Sequence, residues 1–254
     1  MLALLLLVLA ASASAATYAK GLDIYQPGNS STFTCIYSYG YSTVFVRAYK
    51  PDLSGSVDYN AVQSIKYASN ARLGVEVYMT PAPKSSKTAA TQVDEALNAL
   101  ANGGITVRTL WLQVTSPVNW NSAQATNNNF ILAAASRIRA RGVRPGVYTS
   151  TYDWQQITNN AKNTGSDVLL WYWHVNGQGV SGETSADFSD FRGFGNWNTT
   201  SSVLVKQFGQ NEPICGLTVN RDVYPTSGVT KFTQMINRAI AIEKKTIVAG
   251  AIGL

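Results

Sequence analysis

Eight short β-type runs alternate with polar or helix-forming stretches, and that alternation restricts what this chain can fold into more than any other feature. The runs are L-D-I-Y at 22–25, V-F-V-R-A-Y at 44–49, G-V-E-V-Y-M at 74–79, T-V-R-T-L-W-L-Q-V at 106–114, R-P-G-V-Y-T-S at 144–150, D-V-L-L-W-Y-W-H-V at 167–175, S-V-L-V-K-Q-F at 202–208 and T-V-N-R-D-V-Y at 218–224. Between them Val93, Leu97 and Leu100, and again Phe130, Ile131 and Ile138, recur at helical spacing, with N-G-G at 102–104 and R-G at 141–142 as stop signals. A βαβα order predicts a mostly parallel sheet. Eight strands in 254 residues, with no Gly-rich phosphate loop after the first, favour a closed (β/α) barrel in one α/β domain over an open doubly wound sheet.

The flanks of that domain read differently. Residues 1–15 form a short apolar run ending in small residues of A-x-A type at Ala13, Ser14 and Ala15, the pattern of a secretory signal peptide. The run is too short to span a bilayer, so the expectation is a secreted, extracellular chain without a transmembrane segment. Residues 226–254 follow the last strand, and Phe232, Met235 or Ile236, Ala239 and Ile242 mark an amphipathic helix there, able to dock on the barrel, a membrane or a partner. The barrel domain is thus expected over 16–225. Its two cysteines, Cys35 and Cys215, form one disulfide or stay as two buried thiols, and export favours the bridge. Asn29 and Asn198 each open a sequon, N-S-S and N-T-T, that a eukaryotic secretory route would glycosylate.

A net charge of +6 suits attraction to anionic surfaces such as bacterial walls, glycans or nucleic acid, and by itself selects none of them. The densest basic run, R-I-R-A-R-G-V-R at 137–144, reads as the solvated end of a helix, so no nucleic-acid partner is expected. No H-E-x-x-H, C-x-x-C or EF-hand loop is present, which leaves no expected metal site or cofactor. The single histidine, His174 in W-Y-W-H-V, reads as a packed strand residue rather than a base. Oligomeric state is left open.

Reactive groups of such a barrel sit at the carboxyl ends of its strands. The candidates there are Asp23, Arg47, Glu76, Gln113, Thr115, Tyr148, Trp171, Trp173, Gln207, Asn220 and Asp222. In T-L-W-L-Q-V-T the period of two puts Trp111, Gln113 and Thr115 on one face and Leu112 and Val114 on the other. Tyr148 and Trp171 are the aromatic candidates for lining a cleft, while Tyr25, Tyr78, Trp111 and Trp173 lean to packing.

The ordered segments G-L-D-I-Y-Q, V-F-V-R-A-Y, V-D-Y-N-A-V-Q-S-I-K, V-E-V-Y-M-T-P, T-L-W-L-Q-V, G-V-Y-T-S, L-L-W-Y-W-H, V-K-Q-F-G and C-G-L-T-V-N-R-D-V-Y-P resemble the nematode and amoeba lysozymes of glycoside hydrolase family 25, from about Tyr18 to Pro225. The resemblance implies a flattened TIM-like barrel acting on bacterial peptidoglycan in innate antibacterial defence. It implies an Asp-x-Glu pair ending the fourth strand, where this chain has Gln113-Val114-Thr115, and an Asp in a late V-D-x-N, where it has Val219-Asn220-Arg221-Asp222. The second cysteine that these relatives carry after the third strand is absent from T-P-A-P-K-S-S.

Glycoside cleavage needs a carboxylic acid to protonate the leaving oxygen and a partner to stabilise an oxocarbenium-like charge. A threonine hydroxyl does not supply that proton and a glutamine carries no charge. The expectation is a peptidoglycan-binding pseudoenzyme with little or no hydrolysis. Its substrate contacts would come from Asp23, Tyr148, Trp171 and Gln207, with catalytic positions degenerate at Gln113, Thr115 and Asn220. Two readings compete with it: an active muramidase using relocated carboxylates among Asp23, Glu76 and Asp222, and a structural or signalling protein that keeps only the fold. Against the catalytic role, Glu76 also reads as a hydrogen-bonded or ion-paired group, with Arg47 as a candidate partner.

Overall fold

Eight strands close into a barrel in the computed structural model, which describes residues 17–52, 54–198, 203–226 and 246–252. The chain runs β1 (Tyr18–Ile24), α1 (Ser30–Ser38), β2 (Thr43–Lys50), β3 (Ser56–Val57), α2 (Asn60–Asn70), β4 (Gly74–Met79), α3 (Ala89–Asn102), β5 (Ile105–Val107) and β6 (Thr109–Gln113). It continues through α4 (Gln124–Ala140), β7 (Arg144–Thr149), α5 (Thr151–Thr158), β8 (Leu169–Trp173), β9 (Val203–Ile214), β10 (Leu217–Pro225) and β11 (Ile247–Ala249). Around the barrel the order is β1, β2, β4, β6, β7, β8, β9 and β10, and β10 returns to β1.

The pairing is parallel from β1 through β9, but β10 is antiparallel to both of its neighbours. A two-residue turn at Cys215 and Gly216 causes this, with φ of 52° and 81°. Two positive φ values in succession are what a tight hairpin between right-twisted strands requires. The turn is fastened by a disulfide from Cys215 to Cys35 on α1, with a Cα separation of 5.8 Å, as the export reading expects.

Helix starts follow local chemistry. Asn29, Thr88 and Ser150 each cap a helix by accepting a backbone N–H, from Thr32, Thr91 and Asp153 respectively. Inward helix positions Val93, Leu97, Leu100, Ile131 and Ile138 are buried at the expected period, with Leu22, Val44, Val77, Leu110 and Leu112 from the strands. This aliphatic layer lies between the wall and the helices. A second, aromatic core fills the barrel itself: Phe45, Tyr78, Trp111, Tyr148, Leu169, Trp171, Val205, Tyr224 and Ile252. Gly146 belongs to it by default, since a Cβ there would stand 2.3 Å from the Trp111 ring.

The signal-type residues 1–15 and the helical stripe from Phe232 to Ile242 lie outside the described residues. What is described of the C-terminal extension is a strand: β11 runs parallel to β5 below the barrel. Both sequon asparagines are exposed, Asn29 while capping α1. No helix among the described residues is long and apolar enough to cross a membrane.

Candidate functional site

The mouth is formed where β1, β6, β7, β8 and β9 end and β10 begins. On β1, Asp23 stands opposite Asn220 of β10. Its carboxylate accepts from Asn220 Nδ2 at 3.0 Å and from Gln207 Nε2 at 2.6 Å. The same Gln207 nitrogen donates to the Tyr148 hydroxyl at 2.7 Å, and Gln210 donates to Gln207 Oε1 at 2.6 Å. Tyr148 stacks on Trp171 with centroids 4.0 Å apart, and Trp171 Nε1 donates to Asp222 Oδ1 at 2.9 Å. Asp23, Gln207, Tyr148, Trp171, Asn220 and Asp222 are therefore one connected network.

Within it Asp23 and Asp222 are close enough to influence each other's protonation. Asp222 Oδ2 has no N–H or O–H donor of its own, and both side chains are sealed from water. Two neighbouring carboxyls in that position disfavour being charged together. Burial pushes both upward, Asp23 to about 7 and Asp222 well above the usual carboxylate range, the latter also because of the Asp23 charge. Two carboxyls buried side by side do not place an acid and a base on opposite sides of a sugar, which needs roughly 5–10 Å between them.

Several sequence expectations are corrected here. Glu76 and Asp222 are not at the mouth. Asp222 is fully buried in the barrel because β10 is reversed and Asn220, two residues earlier, takes the mouth position. Glu76 lies near the start of β4, at the opposite end, where Trp111 Nε1 donates to it at 2.9 Å and the Ile252 N–H at 2.8 Å. Burial raises it to about 7. Its partner is not Arg47, which makes a two-nitrogen contact with Asp58 at 3.0 and 3.1 Å. Trp171 and Tyr148 spend their ring faces on each other and are buried, so neither offers a free ring face at the mouth. His174 is half-exposed beyond β8, its Nδ1 2.6 Å from Asp190; that carboxylate also accepts from the buried Lys206 at 2.7 Å and from the Tyr172 hydroxyl at 2.7 Å.

Gln113 and Thr115 do stand at the mouth, both partly exposed. Thr80 Oγ1 donates to Gln113 Oε1, which orients the amide and leaves its NH2 as the donor end. Trp120 Nε1 holds the Thr115 carbonyl at 3.0 Å, and Ser116 follows with a left-handed φ of 58°.

One carboxyl escaped the sequence reading. Asp153, on the first turn of α5, accepts from Trp173 Nε1 at 3.0 Å and from the backbone N–H of Ser116. Burial raises it above the usual range. Its signal was present as S-T-Y-D at 150–153, a capping-box pattern placed just after a strand that ends at the mouth. Among the described residues no group of three or more His, Cys, Asp or Glu side chains is arranged to hold a metal.

The chain is similar to known proteins along most of its length. The family described as Lysozyme-like protein 1 matches residues 14–208. Lysozyme-like protein 7 of Caenorhabditis elegans is 51% identical over 216 residues, covering 85% of this chain and 75% of that protein. The Dictyostelium discoideum protein named Probable GH family 25 lysozyme 2 is 33% identical over 207 residues, 81% of this chain and 91% of that one. Among solved structures, a family GH25 lysozyme from Aspergillus fumigatus superposes with a TM-score of 0.63 at 17% identity, over 86% of this chain and 97% of its own, a likeness of fold.

Proposed function

The chain belongs to the lysozyme-like proteins of glycoside hydrolase family 25, and from that premise we propose that it binds peptidoglycan-type glycans at the barrel mouth with little or no hydrolysis. The observation that carries this reading is the mouth's chemistry. Gln113 ends β6 with Thr115 two residues beyond, and the buried Asp23 and Asp222 carboxyls are both held above the usual carboxylate range. An amide donor at Gln113 and the partly exposed Asn220 suit recognition of acetamido and hydroxyl groups, with Asp23 and Gln207 sealed beneath them as supports. General acid catalysis alone contributes ~10²–10⁴-fold, and nothing at Gln113 or Thr115 replaces it. The Cys35–Cys215 bridge supports export to an oxidising compartment, and the role in antibacterial defence is proposed from the family alone.

Sedimentation with insoluble peptidoglycan, run beside a turbidity assay on bacterial walls, tests the reading. Binding without lysis is expected, and binding that weakens in high salt, because a chain of net charge +6 meets anionic wall polymers. No binding at low salt would favour a protein that keeps only the fold. Asp153 supports a second reading, hydrolysis by relocated carboxylates, since its raised carboxyl contacts the residue after Thr115. Wall lysis by the parent that is lost in Asp153→Asn or Asp23→Asn, with folding intact, would establish it.

A further inference from the structure

The base of the barrel, opposite the mouth, is occupied by the end of the chain. After β11 the Arg108 N–H donates to the Ala249 carbonyl at 2.8 Å, and the Gly250 N–H donates to the Val75 carbonyl at 2.9 Å. Thr109 Oγ1 donates to the Gly250 carbonyl at 3.1 Å. Gly250 has a φ of +90°, and a Cβ there would stand 2.2 Å from the Thr109 nitrogen, so only glycine lets the tail turn into the barrel. The turn delivers Ile252 to the aromatic core and aims the N–H groups of Ala251 and Ile252 at Glu76.

A carboxyl 1% exposed inside a barrel is costly unless each oxygen is hydrogen-bonded. Buried backbone N–H groups are under the same obligation. Here each requirement meets the other: Oε1 takes the tail and Oε2 takes the Trp111 indole. Trp111 packs edge-on against Trp171, with centroids 6.0 Å apart and planes at 81°. Trp171 in turn carries Tyr148 by stacking and Asp222 by its indole N–H.

We infer that Glu76 and the C-terminal tail it holds are positioning elements of the cleft: the tail fixes Glu76, Glu76 fixes Trp111, and Trp171 then sets where Tyr148 and Asp222 stand. The contacts run from one end of the barrel to the other without a gap, and none of these residues needs to touch a glycan. The inference rests on the cleft proposed above, but it has a readout that needs no ligand.

Glu76→Gln is the test, because its amide must turn a donor toward either the Trp111 indole or the tail N–H groups. Indole N–H resonances of the full-length protein report each tryptophan separately. The resonances of Trp111 and Trp171 are expected to shift, and peptidoglycan affinity to fall about threefold or more. Leu97→Ala, in the outer layer, is the control of comparable destabilisation and should leave the Trp171 resonance and the affinity unchanged. A lowered Tm in Glu76→Gln with the Trp171 resonance where it was would overturn the inference, and so would a control that moves that resonance equally. If Glu76→Gln does not fold, Ile252→Val poses the same question more gently. Should the parent bind no glycan, the cleft reading fails while the resonances still decide the positioning role.

Discussion

On β6, Leu110 and Leu112 face the helices while Trp111 faces the barrel axis, and the two directions meet different chemistry. The outer layer is aliphatic where strands meet helices, with rings such as Phe33, Trp154 and Trp197 at its edges, and contributes mainly by area. The inner one holds Asp23, Glu76, Asp222 and Gln207 among aromatic rings, each carboxyl accepting from a named donor. An outer side chain is replaceable by anything apolar of similar volume. An inner one is replaceable only by a group that keeps its partner satisfied. The layer that sets stability and the layer that sets the cleft are thus separate, although they share every strand.

Adjacent residues offer the largest effect that could break this comparison. Leu112→Ala should cost about 2–5 kcal/mol by the transfer and cavity terms for buried leucine, equally at pH 5 and pH 8. Trp111→Phe keeps most of the volume but removes the indole donor from Glu76, for which ~1–3 kcal/mol is expected. That cost should grow from pH 5 to pH 8, as Glu76, raised to about 7, becomes charged with one donor missing. Denaturant unfolding at the two pH values measures both. A pH-dependent cost in Leu112→Ala, or a pH-independent one in Trp111→Phe, would show that the two layers are not chemically separate.

The outer layer was also the legible one. Val93, Leu97, Leu100, Ile131 and Ile138 follow a local period that reads directly from the sequence, and all are buried. Membership of the inner layer depends on register across strands and on chain reversal. The reversal of β10 hung on Cys215 and Gly216, where a C-G dipeptide is a weak turn signal, and it moved Asp222 from the mouth into the interior. Glu76 looked like a mouth residue because nothing near it in sequence announces Ile252, its partner 176 residues later. Gln113, Thr115 and Asn220 stand at the mouth, where the strand pattern and the family resemblance both point, because each lies within two residues of a strand position facing it.

A smaller effect sharpens the comparison in the unmodified protein. Asp23 and Glu76 are raised to about 7 by burial, so the folded chain binds more protons than the unfolded one between about pH 4 and pH 7. Stability from this source is present at the acid end of that window and lost as pH rises through it. The outer carboxylates Asp94 and Asp167 act oppositely: arginine hydrogen bonds lower them, and their contribution is lost as pH falls below about 4. The Tm should therefore peak near pH 5 and fall by roughly 3–8 °C toward pH 8. A flat profile across that range would mean that the inner carboxyls are hydrated and the barrel interior is not sealed.

The smallest effect is a gain of function at the mouth. If Gln113 and Thr115 occupy the positions of a lost acid and its partner, Gln113→Asp with Thr115→Glu restores two carboxyls on one strand face beside Asp23. Measurable wall hydrolysis is expected from the double variant, and little from either change alone, because groups that act as a unit are not additive. Recovery should be partial. Thr80 is set to donate to the Gln113 carbonyl and can equally donate to a carboxylate, but Asn220 and the left-handed Ser116 still shape the mouth for the present residues. Catalytic groups must be held within about half an ångström by their supports, which two substitutions do not rebuild. Reducing-end release from purified walls measures the outcome. A double variant that folds, binds walls as the parent does and releases nothing would place the defect in those supports. Release by Thr115→Glu alone at the level of the double variant would show instead that Asp23 already serves as the partner, and that one residue separates this binding cleft from a working one.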